Sequence, residues 1–100
     1  MIARTWHGIV PKAKSDAYFE FLKISGIPDY KATPGNLGVT VLRRIEGDKA
    51  HFLLISYWES MSVIHAFAGN DVEEARYYPE DDAFLIEREP KAFHYEVLEK

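Results

Sequence analysis

Four histidines provide the side chains best suited to proton transfer near neutral pH, namely His7, His51, His65 and His94. An imidazole changes its charge between pH 5 and 8, so a histidine facing a cavity can act as a general base on a phenolic or enolic compound. His65 falls on a predicted helix two residues from Phe67, and we predict that it is this base. The other interpretation places His65 on the solvent-exposed surface of that helix.

Several other chemistries lack their residues. The chain has no cysteine, which excludes disulfides, thiolate metal sites and a cysteine nucleophile. No two histidines have the i, i+4 or His-x-Glu-x-x-His spacing of a metal site, so we predict no metal. There is no glycine-rich phosphate loop, no serine-centred nucleophile elbow and no dinucleotide fingerprint. We therefore expect neither covalent catalysis nor NAD chemistry.

Aromatic residues make up 14% of the chain and can form a flat slot for an aromatic ligand. We predict Tyr77 as a second catalytic residue, because a phenol can donate a hydrogen bond to an enolate. The predicted substrate-binding residues are Trp6, His7, Tyr30, Phe67, Tyr78 and His94. His7 is either a pocket residue or an interface residue, and the same two interpretations apply to His94. Aromatic residues at core spacing usually pack, and most of Phe21, Trp58 and Phe67 is expected to do so.

Charged residues cluster around Pro79, in the run Arg76, Glu80, Asp81 and Asp82. A pair of carboxylates in this run is one candidate for acid–base catalysis. An acidic run is more commonly a solvated surface, and that is the expectation here.

The spacing of apolar and turn residues predicts the order β-α-β-β-α-β. The strands are expected at Ile2 to Val10, Leu37 to Ile45, Ala50 to Trp58 and Ala92 to Leu98. The helices are expected at Ala13 to Ser25 and from Ser60 or Ser62 to Ala68, with a further helical turn from Asn70 or Asp71. Ile27 to Asn36 reads as a loop, with a turn at Thr33-Pro34-Gly35-Asn36. This is the split βαβ, or ferredoxin-like, arrangement of an α+β protein, with a four-stranded antiparallel sheet and both helices on one face.

The length of 100 residues predicts one domain spanning residues 1–100. The net charge is −4, and no basic cluster exceeds the pair Arg43-Arg44, which argues against nucleic acid or an anionic membrane as a partner. The N-terminal residues lack the apolar core of a signal peptide, and no apolar run approaches the roughly 20 residues of a membrane span. A cytoplasmic location is expected.

The third predicted strand is apolar on both sides. Leu53, Ile55 and Tyr57 alternate with the residues of the core face, and two short helices can cover only one face of a sheet. An identical sheet from a second subunit is the simplest cover, so we predict a homodimer through the sheet faces. The alternative is that the segment Glu80 to Pro90 folds over this face.

These features together resemble the antibiotic-biosynthesis monooxygenase-like family of dimeric α/β barrels. The resemblance covers nearly the whole chain. It is based on Ile2-Ala3-Arg4-Thr5-Trp6, on Phe52 to Ser60 with its Trp-Glu-Ser ending, and on Val63 to Ala68 with Asp71 following. The run Arg76 to Asp82 looks like the signature of a subgroup.

The resemblance implies a ligand pocket between the helices and the sheet. Some members oxidise aromatic polyketides with dioxygen and without metal or flavin, and we expect such an activity on a hydrophobic anthrone- or quinol-like compound. The alternatives are a non-catalytic ligand-binding or stress-response module and a haem-binding protein. The haem-degrading branch carries an asparagine on the first strand, which falls near Trp6 or His7 here. It carries a tryptophan at the position of Phe67 and a histidine at the position of Arg76 or Tyr77. None of the three is present, which disfavours haem degradation.

Overall fold

The computed structural model describes residues 1–69, 71–75 and 77–100. The strands are β1 (Ile2–Pro11), β2 (Asn36–Glu46), β3 (Lys49–Trp58), β4 (Glu87–Arg88) and β5 (Phe93–Glu96). The α-helices are α1 (Ser15–Ile24), α2 (Gly26–Ala32) and α3 (Met61–Ala68), and short 3₁₀ helices span Lys12–Lys14 and Pro79–Ala83. No helix among the described residues is long and apolar enough to cross a membrane.

The sheet is antiparallel, with β3 between β2 and β1, and with β4 and β5 both on the other edge of β1. The predicted α+β class and split βαβ order are confirmed. The prediction of four strands is wrong in one respect, because the fourth position is shared by two short strands. Between them, residues 89–92 lie opposite only Trp6 and His7 of β1. Pro90 has no N–H to donate to a sheet ladder, so an interruption at this place is expected.

The segment that reads as a loop from Ile27 contains a helix instead, since α2 runs through Pro28. The proline is tolerated because it lies in the first turn, where backbone N–H groups have no partner within the helix. The predicted turn at Thr33–Asn36 is confirmed by the hydrogen bond from Asn36 N to Thr33 O, at 3.1 Å. Gly35 in this turn has φ +90°, a conformation that other residues rarely adopt.

The two faces of the sheet differ in their cover. The inner face, under the helices, carries the buried side chains Trp6, Phe52, Leu54 and Trp58. The outer face carries half-exposed Leu53, Ile55 and Tyr57 of β3, together with the exposed residues Leu42, Phe93 and Tyr95. The predicted alternation of the third strand is therefore present, and the described chain leaves the outer side uncovered.

The C-terminal third departs most from its prediction. The helical turn expected from Asn70 or Asp71 is reduced to a single hydrogen-bonded turn, in which Glu74 N donates to the Asp71 carbonyl at 3.2 Å, and it does not continue into a helix. The Asp71 carboxylate also accepts from Glu73 N, and Asn70 lies outside the described residues. Phe84 and Leu85 pack against the inner core, whereas Ile86 is exposed. The segment Glu80 to Pro90 thus joins the inner face and does not cover the outer one.

Gly8 provides a test of the inner packing. A Cβ atom at this position would lie 2.3 Å from Cη2 of Trp6, because the indole folds over the glycine. We expect Gly8→Ala to lower the free energy of unfolding by about 1–3 kcal/mol, as overpacking does, in urea denaturation. Gly26→Ala is the control, since its added Cβ meets no atom closer than 3.9 Å. Equal stability of the two variants would contradict this packing.

Candidate functional site

A cavity lies between the inner face of the sheet, the three helices and the coil that follows α3. Its space amounts to about 480 Å³ with the open mouth included, but only about 30 Å³ can hold the centre of a water molecule. A pocket for a drug-sized ligand measures roughly 300–1,000 Å³, so a ligand with fused rings requires movement of the wall side chains. These include Arg4, Trp6, Tyr18, Tyr30, Phe67, Tyr77, Tyr78 and Asp81.

Arg4 is the cation of this cavity. It lies on the inner face of β1 beside Trp6 and is only 3% exposed. Its guanidinium donates to the carbonyl oxygens of Val72 and Glu74 and contacts His94, all of them neutral acceptors. No carboxylate of the described residues forms an ion pair with it, and burial lowers the pKa of Arg4. A buried cation without a counter-ion favours an anionic ligand.

Asp81 is the carboxylate of the cavity. It is 4% exposed, and one of its oxygens accepts a hydrogen bond from Tyr78 N at 2.7 Å. Burial raises the pKa of Asp81 despite that hydrogen bond. Burial, followed by the charge of Asp81, also raises the pKa of the Tyr18 hydroxyl. Since it forms no ion pair with a described residue, Asp81 has the environment of a proton acceptor poised closer to neutral pH than an exposed aspartate.

Aromatic rings line the space around these two charges. Tyr30 of α2 stacks on Phe67 of α3, with centroids 4.6 Å apart and an interplanar angle of 17°. Both rings contact buried Trp58, which closes this end of the core. The arrangement provides a flat apolar wall of the kind that binds an aromatic ring.

Tyr77 is placed by hydrogen bonds to two different segments. Its hydroxyl accepts a bond from Trp6 Nε1 at 2.8 Å and donates one to the carbonyl oxygen of Glu89, in the interruption between β4 and β5. The Tyr78 hydroxyl donates to Asp29 of α2. Both phenols therefore fasten the coil after α3 to the rest of the fold.

The structure brings together five of the eight predicted site residues. Trp6, Tyr30, Phe67, Tyr77 and Tyr78 all line the cavity. The cavity placement predicted for these side chains agrees with their positions, and their roles in binding or catalysis stay predictions.

The three predicted histidines lie outside the cavity wall. His65 is exposed on α3, and its Nδ1 contacts the carbonyl oxygen of Gly69, 3.2 Å away. A helix of eight residues presents only one face to the cavity, and that face is occupied by Phe67, with Ile64 in the core beneath. His65 is therefore not positioned to act as the base. His94 does not line the cavity. It contacts the guanidinium of Arg4 and lines a separate surface depression.

His7 lies on the outer face of the sheet, as the interface interpretation expected. Its Nδ1 is 3.2 Å from an oxygen of Glu89, and its Nε2 is 3.0 Å from Nδ1 of His51, whose ring it stacks on. The described residues contain no group of three side chains able to hold a metal ion. The His7–His51 pair lies on the opposite face of the sheet from the cavity.

The residues that the sequence-based prediction missed or discounted are Arg4 and Asp81. Arg4 shares its strand face with Trp6 and Val10 by the two-residue period, so a charge facing the core was readable from the strand pattern. The burial of Asp81 was not readable, because its neighbours Glu80 and Asp82 are both exposed.

Comparison with models of protein families finds no match, and comparison with curated protein sequences finds none either. Solved structures do match. A Bacillus cereus protein named as an antibiotic biosynthesis monooxygenase has a TM-score of 0.69 at 17% identity, over 100% of this chain and 94% of that one. Similarity of this kind, below 25% identity, shows the fold alone.

Two further structures are described with ligands. MhuD of Mycobacterium tuberculosis, a haem degrader with two haems bound in its active site, has a TM-score of 0.62 at 19% identity, over 100% of this chain and 98% of that one. ActVA-Orf6 of Streptomyces coelicolor, a monooxygenase in complex with nanaomycin D, also has a TM-score of 0.62, at 16% identity over 99% of this chain and 88% of that one. The predicted resemblance to antibiotic-biosynthesis monooxygenases is confirmed at the level of the fold.

Tyr77 tests how the cavity wall is held. We expect Tyr77→Phe to lower the free energy of unfolding by about 1–3 kcal/mol, because Trp6 Nε1 and the Glu89 carbonyl lose their partner. Urea denaturation measures this change. Ile24→Val, at an 80% exposed position on α1, is the control. An unchanged stability of Tyr77→Phe would show that the hydroxyl does not fasten the wall.

Proposed function

We propose that the protein is a cofactor-independent monooxygenase that oxidises a small hydrophobic aromatic compound of the anthrone or quinol type. The observation that supports this most strongly is that a buried cation, Arg4, and a buried carboxylate, Asp81, line the same aromatic cavity. The two groups do not form an ion pair with each other. A further support is the fold shared with ActVA-Orf6, a monooxygenase described in complex with nanaomycin D.

The first step is removal of a proton from the substrate. Asp81 accepts the proton from an acidic carbon or hydroxyl of the ligand, and its raised pKa makes it a stronger base than an exposed aspartate. Arg4 stabilises the resulting enolate or phenolate oxygen by its charge. Asp81 thus takes the role that the sequence had assigned to His65.

The second step is reaction with dioxygen. The electron-rich carbanion transfers one electron to dioxygen, and the two radicals combine to form a C–O–O⁻ bond. Protonated Asp81 returns its proton to the peroxide. Loss of the second hydrogen from carbon and cleavage of the O–O bond then give a ketone and water. The balance is CH₂ plus O₂ to C=O plus H₂O, so the substrate supplies all four electrons that dioxygen accepts.

Oxygen uptake tests this activity. With 1,8-dihydroxyanthrone we expect the wild-type protein to consume one dioxygen per quinone formed. Asp81→Asn is expected to lower the rate by about 10²–10⁴-fold, the usual effect of losing a general base, and Arg4→Lys to lower it less. An oxygen electrode measures the dioxygen consumed, and absorbance recorded in parallel measures the quinone formed.

His65→Gln is the matched control, since it removes the imidazole that lies outside the cavity. Loss of activity in His65→Gln with normal activity in Asp81→Asn would contradict the assignment of the base. Saturable binding of the anthrone with no oxygen uptake would instead support the non-catalytic ligand-binding module.

Haem is the second ligand that the comparisons raise, because MhuD is described with two haems bound. The described cavity wall contains no histidine, and proximal histidine is a common axial ligand of haem iron. We therefore favour the aromatic compound over haem. A Soret band that saturates on titration with haem would reverse this preference.

We also propose that the protein works as a homodimer through the outer face of the sheet. That face presents Leu42, Phe93 and Tyr95 at 45%, 52% and 56% exposure, around half-exposed Leu53 and Ile55. The covering segment that would keep the chain monomeric packs on the inner face instead. A second copy brings an identical apolar face, so the pair buries both by two-fold symmetry.

Ile55 tests the dimer because it lies on the outer face at the centre of β3, opposite Thr5 and Thr40. We expect Ile55→Lys to sediment as a monomer in analytical ultracentrifugation, since a buried interface does not tolerate an unpaired charge. Ile24→Lys, at an 80% exposed position on α1, is expected to stay dimeric. A wild-type protein that sediments as a monomer would refute the proposal.

A further inference from the structure

His94 and Arg4 are directly paired across β5 and β1, with both side chains on the inner side of the sheet. Nε2 of His94 lies 3.1 Å from NH1 of Arg4. A guanidinium group has donors only, so the histidine nitrogen accepts this hydrogen bond. The ring is therefore neutral, with its proton on Nδ1.

We propose that neutral His94 is a positioning residue, which holds the guanidinium of Arg4 in the cavity and releases it when the imidazole is protonated. The inference rests on the proposed function only in taking the cavity as the ligand site. It reassigns His94 from direct contact with the ligand to control of the group that binds it.

The effect of the proton follows from the geometry. An imidazolium has no lone pair on Nε2, so the hydrogen bond from Arg4 is lost and two positive charges face each other at 3.1 Å. The other partners of the guanidinium are the backbone carbonyls of Val72 and Glu74, which do not titrate. Among the described hydrogen-bond partners of Arg4, His94 is thus the one that changes charge.

The charged groups around His94 come from three elements. Arg4 faces it from β1, Glu73 and Lys91 line the same depression from the neighbouring coil, and Glu96 follows on the same face of β5. Burial, and then the charge of Arg4, lowers the pKa of His94, and the opposing charge of Glu73 does not reverse this. The balance of these charges therefore favours the neutral ring that the geometry requires.

The linkage to stability has a definite sign. The folded protein holds the proton on His94 less tightly than the unfolded chain does. The unfolded chain therefore binds more protons at a pH between the folded-state and unfolded-state pKa values of this histidine. The stabilising contribution of neutral His94 is fully present above pH 6.5, the ordinary value of a histidine. It is lost as the pH falls from there through the lowered folded-state pKa.

Two measurements on the whole protein test the proposal, one of them without a ligand. Urea denaturation between pH 7.5 and 5.0 is expected to show a loss of stability for the wild type and a smaller loss for His94→Gln, whose amide oxygen can accept from Arg4 at any pH. Calorimetry with 2-naphthoate, a carboxylate that remains mostly ionised in this range, measures ligand binding. For the wild type we expect a dissociation constant several-fold larger at pH 5.0 than at pH 7.5. The dissociation constant of His94→Gln is expected to change less over this range, because Asp81 and the other cavity groups titrate alike in both proteins.

The control is His65→Gln, an exposed histidine outside the cavity, which is expected to behave as the wild type in both measurements. Equal pH dependence of stability in the wild type and His94→Gln would overturn the positioning role. If 2-naphthoate binds at neither pH, the cavity does not take an aromatic anion and the ligand part of this inference fails, while the oxygen-uptake test of the proposed function is unaffected. The ligand-free stability profiles then still decide the role of His94.

Discussion

The burial of the Arg4 guanidinium is the constraint on which the rest of the site depends. A charged group taken out of water must find hydrogen-bond partners, because its desolvation costs several kcal/mol. Arg4 finds them in two carbonyl groups of the coil after α3 and in His94 of β5. One side chain on the first strand thereby ties together two segments that are about 70 and 90 residues away in sequence. These hydrogen bonds hold the guanidinium in the cavity and the coil over the sheet.

The interruption at Pro90 serves the same arrangement. After Glu89, whose N–H still donates to the His7 carbonyl of β1, residues 90–92 leave the edge of the sheet. They bond to the coil instead, with Ala75 N donating to the Pro90 carbonyl and Ala92 N to the Glu73 carbonyl. The Glu89 carbonyl accepts from Tyr77. A continuous fourth strand would have used these groups in the sheet ladder and left the coil without partners. The break in the strand is therefore what closes one wall of the cavity.

The two faces of the sheet divide the chemistry of the protein. The inner face holds the aromatic cavity with its two buried charges, while the outer face holds an apolar surface and the His7–His51 pair. Because side chains alternate along a strand, adjacent residues such as Trp6 and His7 serve different surfaces. The proposed ligand site and the proposed subunit interface can thus occupy the same ten residues of β1 without sharing a side chain.

The amino-acid sequence by itself determined the order of β1, α1, β2, β3 and α3, the alternation along the strands and the aromatic residues available to the cavity, since these follow from local periodicity and turn residues. It also predicted Trp6, Tyr77 and Tyr78 as lining residues of one pocket, from their aromatic side chains. Only the tertiary structure decided which charged groups are buried. Asp81 resembles its exposed neighbours in sequence, and His65 resembles a pocket residue, yet their exposures are reversed. Local pattern cannot show this, because burial of a coil or of one helix face depends on which distant segments pack against it.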